Sequence, residues 1–158
     1  MAYDVHLTRA ADWADSLHMP IRVGDLRGLI DTENLRIVPT GVMSDHDVYV
    51  MYGTRAEPLG LWSGGEIMIR DPRPWHLARA AQLAGRLRAY AIGTDEMRYR
   101  VADGELRRSG VGVDESLGRV EALLAAGPDT RWPVPPWTDE SPAPQPRTGF
   151  WRRLFHRS

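Results

Sequence analysis

The chain has no cysteine and no lysine, and each absence limits what it can be. Without cysteine, disulfide frameworks, cysteine-based zinc sites and thiol nucleophiles are excluded. All 20 basic residues are arginine, and against 21 acidic residues they leave a formal net charge of −1. Because no overall basic field would attract a polyanion, nucleic acid is not an expected partner.

Long apolar runs are also lacking. No stretch approaches the 18 apolar residues that a membrane-spanning helix needs. The N-terminus, "MAYDVHLTRA", shows no basic segment followed by an apolar one, so no signal peptide is expected. Together with the missing cysteine, these features predict a cytoplasmic protein, with peripheral attachment to the inner membrane left open by the C-terminal segment described below.

Aliphatic residues become scarce after Arg131, where the composition of the sequence changes. Six of the twelve prolines fall in "WPVPPWTDESPAPQPRTG". Such a segment cannot bury a core and is typical of an extended spacer. We therefore predict a domain over residues 1–131, a proline-rich linker over 132–148 and a separate C-terminal segment over 149–158.

The strands are predicted from alternation and from turn residues. "YDVHLTR" alternates, with Val5 and Leu7 on one side, and "LRIVP", "HDVYVMYG", "AYAIG" and "EMRYRV" are rich in β-formers. "LGLWSGGEIMIR" reads as a hairpin around Gly64-Gly65, because both central positions of a type I′ turn need positive φ. Asp103-Gly104 marks a second hairpin turn.

Three segments have helical character. A short helix is predicted near residues 23–31, and a longer one follows in "DPRPWHLARAAQLAGRLRAY" with an apolar stripe and with Arg79 mostly off it. A third is predicted over 114–126, with Asp114 as N-cap and Gly127 just past its end. The order of elements favours an α+β fold, an antiparallel sheet of hairpins with two or three helices packed on it, plus the proline-rich C-terminal tail.

Few residues suggest chemistry. Asp45, His46 and Asp47 in "SDHD" could bind a metal, but three adjacent residues rarely converge on one ion, and a polar turn is the better interpretation. No nucleophile elbow or phosphate-binding loop is visible. We predict no catalytic residue, no metal and no cofactor. A small hydrolase-like enzyme built from His6, His46 and nearby aspartates stays open as a lesser alternative.

Two groups of residues suggest binding. Arg98 and Arg100 would form a basic patch if they share a sheet face with a partner from the return strand, and the competing interpretation is an ordinary solvated face. The second group is the C-terminal segment "GFWRRLFHR". Drawn as a helix, its apolar residues fall within an arc of about 140° and its arginines lie opposite. Its predicted binding residues are Phe150, Trp151, Arg152, Arg153, Leu154 and Phe155.

Such a short segment would fold only on a surface that buries its aromatic side, because helix nucleation is costly. Three surfaces are compatible with it: a groove on a partner protein, an anionic membrane, or the chain's own domain or a second copy of it.

The sequence resembles a group of small bacterial proteins in four features. These are the opening "AYDVHLTRAADW", the Trp-containing hairpin "LWSGGEIMIR", the Asp-Pro step into a helix and the strand and acidic turn around "IGTDEMRYRV". That group begins with a Tyr-Asp strand and a "TRA" turn, and the resemblance covers about residues 2–105. It implies immunity-like or adaptor proteins, and no catalytic residue is carried over. The chain departs from the group in its helix at 114–126 and in its tail.

These observations predict a non-enzymatic protein-binding module. The most specific form is an immunity-type protein that neutralises a bacterial toxin, and the alternative is a docking adaptor recruited to a scaffold protein or membrane by its C-terminal segment.

Overall fold

The computed structural model describes residues 3–41 and 46–137, and within them nine strands form one antiparallel sheet in the order β2-β3-β4-β5-β1-β6-β7-β8-β9. The strands are β1 (Asp4–Thr8), β2 (Leu35–Pro39), β3 (Val48–Tyr52), β4 (Gly60–Ser63), β5 (Glu66–Arg70), β6 (Tyr90–Gly93), β7 (Arg98–Ala102), β8 (Glu105–Gly110) and β9 (Val113–Arg119). The helices are α1 (Val23–Arg27), α2 (Ile30–Glu33), α3 (Pro74–Leu87) and α4 (Val120–Ala125), with a 3₁₀ turn at Trp13–Asp15. The predicted α+β class is confirmed.

The core lies between one face of the sheet and α3. Helix α3 packs against β1, β6, β7 and β8, and α4 packs against α3. Val5 and Leu7 of β1 point into this core and are fully buried, as their alternation predicts. We call the face that is turned away from α3 the open face.

Both predicted hairpin turns are confirmed by their backbone angles. Gly64 and Gly65 have φ of 59° and 86°, and Asp103 and Gly104 have φ of 53° and 76°. These left-handed values are what type I′ turns require at both central positions. The turns fix the registers of the β4–β5 and β7–β8 hairpins, and therefore which residues reach the open face.

Helix α3 has the predicted apolar stripe, which is buried against the sheet. Its stripe residues are Leu77, Ala80, Ala81, Ala84 and Leu87. The position of Arg79 differs from the prediction, because this side chain is buried. Its Nη2 donates a hydrogen bond to Oε2 of Glu33 at 3.2 Å, and its guanidinium lies 4.8 Å from the ring centroid of Tyr52. A buried charge is tolerated here because it is paired and hydrogen-bonded.

The helix predicted over 114–126 is wrong in its first half. Residues Val113–Arg119 form β9, and only Val120–Ala125 are helical. Asp114 is therefore no N-cap but stands opposite Ser109 of β8. Gly118 has φ of 127°, which no helix allows, and pairing with β8 supplies the backbone hydrogen bonds that the helix would have made. The helix end was predicted correctly, since Gly127 follows with φ of 84°.

The helix predicted near 23–31 is present as two short pieces, α1 and α2. Gly28 ends α1, and Leu29 is the N-cap of α2. Glycine is a poor helix former, and Gly28 stands at the point where the predicted helix is interrupted.

The first residues of the predicted linker pack on the domain. The ring of Trp137 stacks on Tyr3 with centroids 4.8 Å apart, and Trp132 meets Trp137 edge-on at 5.9 Å.

Among the described residues, no helix is long and apolar enough to cross a membrane.

His76 of α3 is buried and held neutral. Its Nδ1 accepts a hydrogen bond from the backbone N–H of Arg73 at 3.0 Å, and its Nε2–H donates to the carbonyl of Pro58 at 3.3 Å. Burial lowers the pKa of His76 to about 4, and the charges of Arg73 and Arg55 act in the same direction. Carboxylate Oε1 of Glu57 is 3.8 Å from Nε2 and does not offset the burial.

We expect acid to destabilise the domain through His76. Its pKa is about 6.5 when unfolded and about 4 when folded, so the stabilisation is complete above pH 6.5 and is lost as the pH falls towards 4. Between pH 7 and pH 4 the free energy of unfolding should fall by about 3 kcal/mol from this group. Urea denaturation across this range measures it. His76→Gln should flatten the slope, and an equal slope in both chains would contradict the assignment.

Candidate interaction surface

One row of side chains crosses the whole open face. Each of its members stands directly opposite the next in the strand register, so the row has one residue from every strand. From β2 to β9 the residues are Val38, Tyr49, Leu61, Met68, His6, Ile92, Arg98, Ser109 and Asp114. With neighbouring strands about 4.8 Å apart, the row is about 38 Å long.

The two halves of the row differ in chemistry. From β2 to β5 it is apolar, and its outer members Val38 and Tyr49 are each 40% exposed. In the centre, His6 and Ile92 are only 5% and 3% exposed. From β7 to β9 the row becomes polar and charged. An exposed apolar stripe beside a charged one is the composition of a protein interface with an apolar core and a polar rim.

His6 pairs with a carboxylate on the open face. Its Nδ1 lies 3.0 Å from Oε1 of Glu66, whose second oxygen is buried without a hydrogen-bond partner among the described residues. His46 precedes β3, and two strands, β4 and β5, separate β3 from β1. The structure therefore does not bring His6 and His46 together. No group of three or more metal-ligating side chains occurs in the part of the chain that the structure describes.

A cavity of about 360 Å³ opens beside Arg98. Ile92, Ser109 and Glu96 line it, between Ala11 of the β1–α1 loop and Val111 of the β8–β9 turn. The loop is joined to β7 by a hydrogen bond from Arg98 Nη2 to the Ala11 carbonyl at 3.4 Å. The cavity is therefore a notch where the apolar and charged halves of the open face meet.

Arg98 and Arg100 share the open face with Arg107 of the return strand. The guanidinium of Arg98 lies 4.5 Å from the ring centroid of Tyr90. Arg100 stands directly opposite Arg107 in the β7–β8 register. The structure thus places the two predicted arginines together, with Arg107 as the partner from the return strand, and their role in binding stays a prediction. Arg108, the next residue, points to the other face.

On that other face, a polar network fixes the β6–β7 hairpin that carries Arg98. Tyr3 donates to Asp95 Oδ1 at 2.8 Å and its hydroxyl lies 2.7 Å from that of Tyr99. Arg108 bridges Asp95 Oδ2 at 2.9 Å and Glu115 Oε1 at 3.0 Å. Sequence reasoning missed this network, because its five members come from four separated segments.

The electrostatics of the network favour a structural role. Burial, followed by the nearby charges of Tyr99 and Asp95, raises the pKa of Tyr3. Burial also raises the pKa of Tyr99 to about 12. For Arg108, burial opposes the charge, but Tyr99 and Asp95 outweigh it and raise its pKa. Both hydroxyls therefore stay protonated at neutral pH and act as hydrogen-bonding groups, and neither supplies a nucleophile.

The predicted C-terminal binding residues lie outside the described part of the chain. They are Phe150, Trp151, Arg152, Arg153, Leu154 and Phe155.

The apolar half of the open face was not predicted from the sequence. "VYVMY" and "EIMIR" carried a signal for it, because apolar residues at consecutive positions of a strand place apolar side chains on both of its faces.

Comparison of the chain with protein-family models, with curated proteins and with solved structures found no match. The chemistry of the surface is therefore the basis for the functional proposal.

Proposed function

We propose that this chain is a non-enzymatic protein-binding module that engages its partner through the open face. In its most specific form it is an immunity-type protein that covers a functional surface of a bacterial toxin. The observation that carries the proposal is the continuous row of nine side chains, whose apolar half is exposed next to arginines. The specific form extends the immunity-like resemblance that the sequence pattern of residues 2–105 suggests, and that resemblance stays a prediction.

The exposed apolar residues argue for a partner. Val38 and Tyr49 are each 40% exposed on adjacent strands, and Leu61 and Met68 continue the stripe towards the centre of the sheet. Contiguous exposed apolar patches on soluble proteins mark interaction sites, and tyrosine, methionine and arginine are enriched in interfaces. A stripe built on rigid strands also loses little conformational entropy when a partner binds.

A charge placed in this stripe should abolish binding. We expect Val38→Asp to leave the fold intact, because Val38 is exposed. The proposed function requires that the unmodified chain rescue cells from a toxin encoded by a neighbouring gene, and Val38→Asp should prevent that rescue. Burying an unpaired carboxylate in an apolar interface costs several kcal/mol. Growth rescue and the dissociation constant of the purified pair measure the effect, which should be a loss of at least about 100-fold in affinity.

The chain offers a matched control in Val101→Asp. Val101 lies on a strand, is 39% exposed and points to the opposite face of the sheet. The Val101→Asp variant should rescue toxin-expressing cells as well as the unmodified chain does. If both variants rescue equally well, or if no neighbouring toxin is neutralised by the unmodified chain, the proposed function is wrong.

A further inference from the structure

We propose that Arg98 and Arg100 bind two carboxylates of an extended acidic segment of the partner. The inference rests on the proposed function and specifies the chemistry of the partner at the charged end of the open face. The site lies on β7, beside the cavity, where the apolar stripe ends.

The spacing of the two arginines defines the ligand. They are two residues apart on one strand, so they project from the same face with a separation of about 7 Å. Acidic residues two apart in an extended segment have the same spacing, whereas residues three or four apart on a helix are about 5–6 Å apart. An extended segment that lies along β7 can therefore place one carboxylate within reach of each arginine side chain.

Neither Arg98 nor Arg100 forms an ion pair with a carboxylate among the described residues. Arg100 directly faces Arg107, and like charges directly opposite on neighbouring strands repel. Arg107 is neutralised by Asp114 at 3.0 Å and by Glu105 at 3.5 Å. Among the described residues, Arg100 has no hydrogen bond or ion pair, and Arg98 donates to a neutral carbonyl and contacts an aromatic ring. Two partner carboxylates would supply the missing negative charge.

The carboxylates are expected on the open surface and not in the cavity. Glu96 lines that cavity, and its carboxylate would repel a second one in a confined space. The contact with the Tyr90 ring restrains the Arg98 guanidinium before binding, which lowers the entropy lost when a carboxylate pairs with it.

The arginine side chains provide a direct test. The probe is the peptide acetyl-Gly-Glu-Thr-Glu-Gly-amide, added to the ¹⁵N-labelled full chain while the Nε–Hε signals of the arginines are recorded. We expect saturable shifts at Arg98 and Arg100. Arg98→Ala combined with Arg100→Ala should weaken the interaction, followed at the backbone amides of β7, by about fivefold, as expected for two exposed charge pairs.

Three controls make the result specific. The same peptide with glutamine in place of glutamate lacks the same two charge pairs and should also bind about fivefold more weakly, and inorganic phosphate at equal ionic strength should not reproduce the pattern. Arg27→Ala combined with Arg131→Ala removes two exposed arginines elsewhere and should leave the peptide affinity unchanged. Equal binding of the glutamine peptide or of phosphate, or shifts spread over all exposed arginines, would overturn the proposal.

The two proposals fail separately. If the peptide binds at Arg98 and Arg100 but Val38→Asp rescues fully, the arginine site stands and the proposed function of the open face fails. If Val38→Asp abolishes rescue but the peptide does not bind at the arginines, the function stands and this inference fails.

Discussion

Replacing Trp75 with alanine should destabilise the domain by about 4 kcal/mol, near the centre of the range for a buried tryptophan. Trp75 is fully buried at the start of α3. The guanidinium of Arg55 lies 4.3 Å from its ring centroid, and its indole N–H donates to the carbonyl of Pro128 at 3.2 Å. Truncation leaves a large cavity, removes a cation–π contact and removes one of the two hydrogen bonds that the Pro128 carbonyl accepts.

Urea denaturation followed by far-UV circular dichroism measures this loss. Trp132→Ala serves as the control, since Trp132 is only partly buried at the edge of the core and should cost about 1 kcal/mol. A double-mutant cycle with Arg55→Ala should give a coupling of about 1 kcal/mol for the cation–π contact. A loss below about 2 kcal/mol for Trp75→Ala would mean that the ring is not a central part of the core.

Replacing Gly93 with alanine should cost about 3 kcal/mol, although only one methyl group is added. A Cβ at this position would overlap the hydroxyl of Tyr3 and lie 2.5 Å from Asp95 Oδ1. Tyr3 cannot move away freely, because its hydroxyl bonds Asp95 and Tyr99 and its ring stacks on Trp137. The methyl group must therefore break the network that holds the hairpin carrying Arg98.

Gly85→Ala is the matched control for this substitution. Gly85 lies in α3, and no atom is within 4 Å of the position its Cβ would take. Alanine there should stabilise the domain by about 0.5–1 kcal/mol, because glycine is a poor helix former. The two Gly→Ala variants should thus change the free energy of unfolding in opposite directions. In a Tyr3→Ala background, which lacks both the hydroxyl and the ring carbon that the Cβ would overlap, Gly93→Ala should cost less than in the unmodified chain, and an equal cost in both would show that the strain lies elsewhere.

Much of the fold could be predicted because local patterns and tertiary structure agree. Alternation placed Val5 and Leu7 in the core, and paired turn residues placed the hairpins at Gly64-Gly65 and Asp103-Gly104. In both cases the decisive interactions are between residues close in the chain. The segment 114–126 was wrongly predicted to be one helix, because its apolar residues are compatible with both helical and strand periodicity. Pairing with β8 makes it a strand up to Arg119.

The candidate site was less predictable. Sequence reasoning selected Arg98 and Arg100, which lie two apart on one strand, so their shared face follows from strand geometry alone. It missed Tyr49 and Met68, because an apolar side chain on a strand gives no sign of whether a helix covers it. It also placed Arg79 off the buried stripe, since its partners Tyr52 and Glu33 come from distant parts of the chain.

The fold class, the two glycine-containing hairpin turns and the apolar stripe of α3 follow from local patterns, because periodicity and turn chemistry act over a few residues. Which face of the sheet stays open depends on how distant segments pack together. Strand order brings Val38 at one edge and Asp114 at the other into one row, although 76 positions separate them in the chain. That row depends on the registers of eight strand pairs, and local turns fix only some of them, whereas the pairs of β1 with β5 and β6 join strands that are distant in the chain.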